Sequence, residues 1–278
     1  MKEEFLYDMT NLEGTLNSLK ELVNVKHYMD IVRYVSDNKE EFSCKQFCEY
    51  FNIDFNQLNI ENIYLKIMHV TTNDNCCKDI EKYGLMPLSE VINKNTSLKK
   101  YLNKKNINID LENKLIKRDD RIIDLNNSKS NAIKHLYYKL YKDGGIDGFV
   151  SSSNPLDYAG EIKLRPEILS NISQVFSDYS IDNDWRYNKN KDTYIINFKT
   201  SVHNVLSFEN WDKEYCDAIE DFCNDKECYI KKFLIEESLR RINNELFYNN
   251  IVENIVTLNY GVSIPKEDIL EIVKINKQ

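Results

Sequence analysis

Strand-like and helix-like stretches follow one another in this chain with no βαβ rhythm, and that order constrains the fold more than any single motif. Tyr64 to Val70 reads as a short strand and Gly148 to Ser151 as another, while Thr193 to Phe198 and Val202 to Phe208 alternate in strand fashion. Asn250 to Leu258 reads as a strand near the C-terminus, with Ile264 to Ile275 closing the domain. Helical stretches lie between them. Asp74 to Tyr83 ends at Gly84, a C-terminal cap, and Ser130 to Lys142 stops at Gly144-Gly145. Residues 212–247 read as one or two long helices with Ile230, Phe233, Leu234 and Leu239 on the buried side. Such a mixture predicts an α+β domain.

The first sixty residues are different. Leu16, Leu19, Leu22, Val23, Ile31, Val32 and Val35 recur at helical spacing and predict one amphipathic helix over 15–37. A second helix starts at Ser43, a good N-cap, and runs through Phe47, Cys48 and Phe51. SCKQFCEYFNIDFNQL has the look of a helix-turn-helix, yet residues 1–60 hold six Lys/Arg against eleven Asp/Glu, the wrong sign for gripping phosphates. The expected division is therefore a helical N-terminal appendage, 1–60, packed on a main domain, 61–278. Within that domain, residues 95–127 are polar and charged, with short helical pieces. Nine Lys/Arg fall in 94–121 against four acids, which reads either as a solvated insertion or as a basic lobe touching an acidic or nucleic-acid substrate.

A hydrophobic fraction of 42% supports a packed core, and a net charge of −8 argues against a surface that embraces nucleic acid throughout. No apolar run approaches a membrane span, and MKEEFLYDMT is acidic, unlike a signal peptide. Seven Cys form no regular framework, so a cytoplasmic, reducing setting is expected. Cys76-Cys77 and the trio Cys216, Cys223 and Cys228 lack paired C-x-x-C spacing and read as thiols, not zinc ligands. His27, His135 and His203 read as structural. P-loop, dinucleotide-binding and nucleophile-elbow patterns are absent from the sequence.

A few short islands carry the chemistry. A strand delivers His69-Val70-Thr71, and a helix and Gly84-Leu85 follow. A Gly-led strand opens into serines and an aromatic, GFVSSSNPLDY, Gly148 to Tyr158. Glu253 heads the β-rich run Val252 to Leu258. Taken in order, these residues resemble the His–Tyr–Glu branch of the ADP-ribosyltransferase family, which includes diphtheria-toxin-like and poly(ADP-ribose) polymerase-like enzymes. HVTTNDNCCKDIEKYGLMPL is similar to that family's first strand and helix, and VENIVTL to the strand that carries its catalytic Glu. The resemblance runs over roughly residues 62–275.

The resemblance implies a split mixed or antiparallel sheet with flanking helices, NAD as substrate and no metal. It implies that His69 bonds a ribose hydroxyl of NAD and that the backbone of Val70, in the His69-Val70-Thr71 motif, holds the carboxamide. Tyr158 would stack on the nicotinamide, Ser152 or Ser153 would bond its amide, and Glu253 would bond the ribose 2′-hydroxyl. A carboxylate suits that place, because cleavage of the ribose–nicotinamide bond builds positive charge on the sugar. The family's middle Tyr falls at Phe149-Val150, where Phe149 retains only stacking. Ile251 stands where arginine-modifying enzymes carry Glu or Gln, so arginine is not the expected acceptor. The implied activity is mono-ADP-ribosylation of a macromolecule, protein or nucleic acid, in a toxin or in a phage or mobile-element effector. A catalytically degenerate binding protein and an RNA 2′-phosphotransferase are the alternatives.

Overall fold

A computed structural model of the chain describes residues 4–39, 42–127, 130–158, 160–209 and 225–275. Helices and strands are mixed in it, and the class is α+β. The chain starts with a short strand, β1 (Phe5–Tyr7), and the Asn11 side chain then caps helix α1 (Leu12–Leu22) by accepting from the Gly14 N–H at 2.8 Å. The single helix expected over 15–37 is two. Asn24 takes a left-handed φ of 52°, which ends α1, and α2 (Tyr28–Asp37) restarts from an extended His27. α3 (Cys44–Phe51) begins at Ser43 as expected, but left-handed Asn52 stops it, and only a 3₁₀ turn over Phe55–Gln57 follows in place of a second helix.

β2 (Ile63–Asn73) is longer than the sequence indicated. The helix after it starts late, as α4 (Lys78–Tyr83), because the Asn73 carboxamide accepts from the Asn75 and Cys77 N–H groups at 2.8 and 3.0 Å. Those side-chain bonds hold residues 74–77 out of the helix, and Cys76 and Cys77 adopt positive φ. Gly84 ends α4 at φ +77°; a Cβ there would stand 1.9 Å from the Ile264 carbonyl oxygen, with which this segment pairs. Next come α5 (Leu88–Asn93), α6 (Ser97–Lys104) and an antiparallel meander of β3 (Ile107–Asp110), β4 (Leu115–Arg118) and β5 (Arg121–Asp124). α7 (Asn131–Tyr141), β6 (Asp147–Ser151), α8 (Pro155–Tyr158), α9 (Glu167–Phe176) and α10 (Ser180–Arg186) follow. The last elements are β7 (Asp192–Ser201), β8 (Val205–Phe208), α11 (Lys226–Tyr248), β9 (Asn254–Leu258) and β10 (Ile269–Ile275). The larger sheet has hydrogen-bonded order β10-β7-β2-β6-β9-β8, with β1 parallel to the start of β2. The helical expectation over 212–224, with Cys216 and Cys223, lies outside the described residues.

The chain divides into two compact units, and the boundary is not at residue 60. The first unit joins 1–68, 147–154 and 199–257. Its N-terminal helices are not an appendage: Leu19, Ile31, Val35 and Phe47 share one core with Ile235, Leu239 and Ile242 of α11. Tyr7, 1% exposed, bonds the Leu234 carbonyl at 3.1 Å and lies 2.8 Å from the Ser238 hydroxyl. Glu236, buried on the same helix, accepts from the Cys44 N–H at 2.9 Å, and burial raises its carboxyl pKa. Cys44, Cys48, Cys76 and Cys77 are free thiols, whereas Cys228 is disulfide-bonded, a departure from the all-thiol expectation.

The second unit joins 69–146, 155–198 and 258–278. The stretch expected to be short helical pieces holds the β3–β4–β5 meander, whose register sets Ile109, Ile116 and Ile123 side by side. Leu98, Leu102, Ile107 and Ile116 bury with Leu136, Leu169 and Trp185 from α7, α9 and α10. The basic stretch therefore belongs to a folded core. Several of its cations are engaged within the unit. Lys94 pairs with Glu90 and Lys105 with Asp184, Arg118 meets Asp178 at 2.6 Å, and Lys114 lies over Tyr137 and Tyr141. Arg121 donates to the Val175 and Phe176 carbonyls at the end of α9.

Candidate functional site

Two strand ends build the site in the first unit. β6 leaves the sheet at Ser151 and β9 begins at Asn254, and these residues are opposite each other in antiparallel register. The serines that follow β6 are thereby set beside Val252 and Glu253, which lead into β9. Gly148 lets β6 lie close against β2 on its other side, since a Cβ there would lie 2.4 Å from Ile67 Cγ2 and 3.0 Å from the Met68 carbonyl oxygen.

Glu253 precedes β9 by one residue. Its Oε1 accepts from the Ser153 N–H at 3.2 Å and from the Ser153 hydroxyl at 3.0 Å. Its Oε2 is buried with no hydrogen-bond partner. The Ser152 hydroxyl, in a side chain 6% exposed, is likewise buried and unpartnered. Buried polar atoms are nearly always bonded, and an unmet carboxylate oxygen is held at a cost that needs a reason.

Beneath these residues lies a buried polar layer carried by α11. Arg241, 1% exposed, donates to the Ser151 hydroxyl at 2.7 Å, to Glu245 at 3.0 Å and to the Thr10 carbonyl at 3.2 Å. Ser151 in turn donates to the Val252 carbonyl at 3.0 Å. Burial lowers the pKa of Arg241, while the charges of Glu245, Asp8 and Glu253 oppose that shift. Asn254 donates to Glu237 at 3.1 Å, and Arg240 pairs with the same carboxylate.

Of the residues singled out in the sequence, Ser152, Ser153 and Glu253 stand together. Phe149, 7% exposed, is part of the sheet interior opposite Met68 and Ile255, and Val150 is 1% exposed. Ile251 is half-buried two residues before Glu253. His69, Val70 and Thr71 lie on the second half of β2, in the second unit, with Val70 buried and the other two half-buried. Tyr158 closes α8 in that unit, and its side chain lies outside the described residues. Ser151 and Arg241 are not among the candidates that the sequence offers. A signal existed for the second: Arg241 recurs at i+3 from Ser238 and i+7 from Leu234, on a buried stripe where an arginine is rare.

Among the described residues, three or more His, Cys, Asp or Glu nowhere group as a metal would require, and no helix is long and apolar enough to cross a membrane. Comparison with protein-family models, curated proteins and solved structures found no match.

Proposed function

We propose that the chain is a mono-ADP-ribosyltransferase with an α+β fold of that family's type, transferring ADP-ribose from NAD to a macromolecular acceptor, with Glu253 as the catalytic carboxylate. One observation carries this reading: Glu253 is fixed through Oε1 by two Ser153 donors, while Oε2 is buried and unbonded. An anion fixed in that way does not reorganise when charge develops beside it, which is the condition for strong electrostatic catalysis. A ribose hydroxyl is the complementary partner, since it donates to Oε2 and replaces the bond that burial has removed.

The chemistry then follows. The ribose–nicotinamide bond breaks with its electron pair leaving on nicotinamide, and the sugar acquires oxocarbenium character. Glu253 stabilises that charge and polarises the hydroxyl. The acceptor's nucleophilic atom bonds the anomeric carbon and gives up its proton. Ser152, with its unbonded hydroxyl, suits the nicotinamide amide. The ribose role of His69 rests on the family resemblance. Ile251 offers no polar group two residues before Glu253, which favours an acceptor other than arginine. We place the activity in the cytoplasm, where NAD is plentiful.

The test is intact-mass analysis after incubation with NAD and cell lysate or candidate acceptors, including the protein itself. A gain of one ADP-ribose is expected, and Glu253→Gln should abolish it. Labelling that survives this substitution removes Glu253 from the reaction. A second reading, NAD binding without transfer, is favoured by the burial of Phe149 and Val150 at the family's tyrosine position. Calorimetric binding of NAD with no mass gain on any acceptor would select it. The RNA 2′-phosphotransferase reading ranks below both, because it would want arginines beside the histidine and His69 has none nearby in sequence.

A further inference from the structure

The serines that clamp Glu253 have an anchor of their own. A guanidinium taken out of water is costly unless every donor edge meets a partner. Arg241 meets Ser151 through Nη1 and both Glu245 and Thr10 through Nη2, partners from three different parts of the first unit, while its Nε is buried and unbonded. Ser151 passes the constraint on through its bond to the carbonyl of Val252, the residue before Glu253. Ser153, two residues further along, returns to the Glu253 carboxylate. The Ser151–Ser153 segment, anchored by Arg241, thus closes a ring of bonds with Val252–Glu253. The charges nearby are accounted for: Asp8 is paired with Lys66 at 2.9 Å, Glu245 bonds Arg241 itself, and Glu237 is taken by Arg240 and Asn254.

We propose that Arg241 is a positioning residue, which locks the Ser151–Ser153 segment onto Val252–Glu253 and thereby holds the carboxylate in one orientation. The planar guanidinium serves its partners at once, which a lysine ammonium cannot do with the same geometry. The catalytic consequence rests on the proposed activity; the structural part does not.

The experiment reads both. The NMR shift of the Ser153 amide proton reports its bond to Glu253, and Glu253→Ala defines the unbonded value. Arg241→Met and Ser151→Ala should each move the Ser153 signal towards that value, with Arg241→Lys between them and the wild type. Turnover of NAD should fall about a hundredfold in kcat for Arg241→Met while KM changes little, because misplacement acts on the chemical step. A Ser153 signal unchanged in folded Ser151→Ala and Arg241→Lys overturns the proposal, whether or not Arg241→Met folds. A Ser153 signal that moves as expected in a protein that never consumes NAD leaves the positioning role standing and removes the enzymatic reading.

Discussion

Glu253 keeps one carboxylate oxygen buried and unbonded, so function and stability pull in opposite directions at this residue. Glu253→Gln retains an oxygen for Ser153 and removes the buried charge. It should therefore unfold at the same temperature as the wild type or higher, while ADP-ribose transfer falls by roughly a hundredfold or more. Calorimetry and NAD consumption measure the two arms, and a clearly lower melting temperature would contradict the account of Oε2 as a liability. Gly148 makes the opposite case, a residue kept for space. Gly148→Ala pushes a methyl into Ile67 and the Met68 carbonyl and should cost about 1–3 kcal/mol in urea unfolding. The site was partly legible in the sequence at this scale. Glu253 and Ser153 are both candidates on the sequence, and they are bonded to each other. Arg241 is not, since a charged residue in a charged helix reads as surface until its place on the stripe with Leu234 and Ser238 is counted.

Among the elements, long ones with an apolar rhythm were the readable ones. β2, β7 and α11 are near where alternation or helical spacing put them. The meander was not read, because strands of four residues carrying lysines and aspartates offer too few alternations to outweigh their charge. Its attachment yields a pH-dependence. The Asp178 carboxyl accepts from the Ser180 N–H at the start of α10 and pairs with Arg118 of β4, and these bonds lower its pKa to about 2. A carboxylate with a lowered folded value stabilises fully above its unfolded value, and loses that contribution as pH falls through the folded one. Wild-type stability should thus decline more steeply between about pH 4 and pH 2 than that of Asp178→Asn. Urea midpoints measured across that range check this, and parallel slopes would dissociate Asp178 from the acid transition.

For the whole molecule, the division at residue 60 suggested by helical spacing and charge differs from the two compact units for a physical reason. Amphipathic helices need a partner for their apolar face, and here the partner is α11, far along the chain. Each large side chain buried there contributes roughly 1.5–3 kcal/mol, against a total stability of about 5–15 kcal/mol for a typical domain. A chain beginning at residue 61 should therefore lose the unfolding transition of the first unit while the second keeps its own core, and it should expose Ile235, Leu239 and Ile242 to a hydrophobic dye. Hydrogen-exchange protection of α11 that is unchanged in that shortened chain would restore the appendage view.

The same pairing has a consequence for synthesis. Phe47 leaves the ribosome long before Leu239, and at about 5–20 residues per second the delay is on the order of ten to forty seconds. Through that interval the inner faces of the first helices have no permanent cover, and a holdase or a transient collapsed state must shield them. These helices, made well before α11, are among the last segments to be buried, and the bond from Arg241 to Thr10 forms only after that closure.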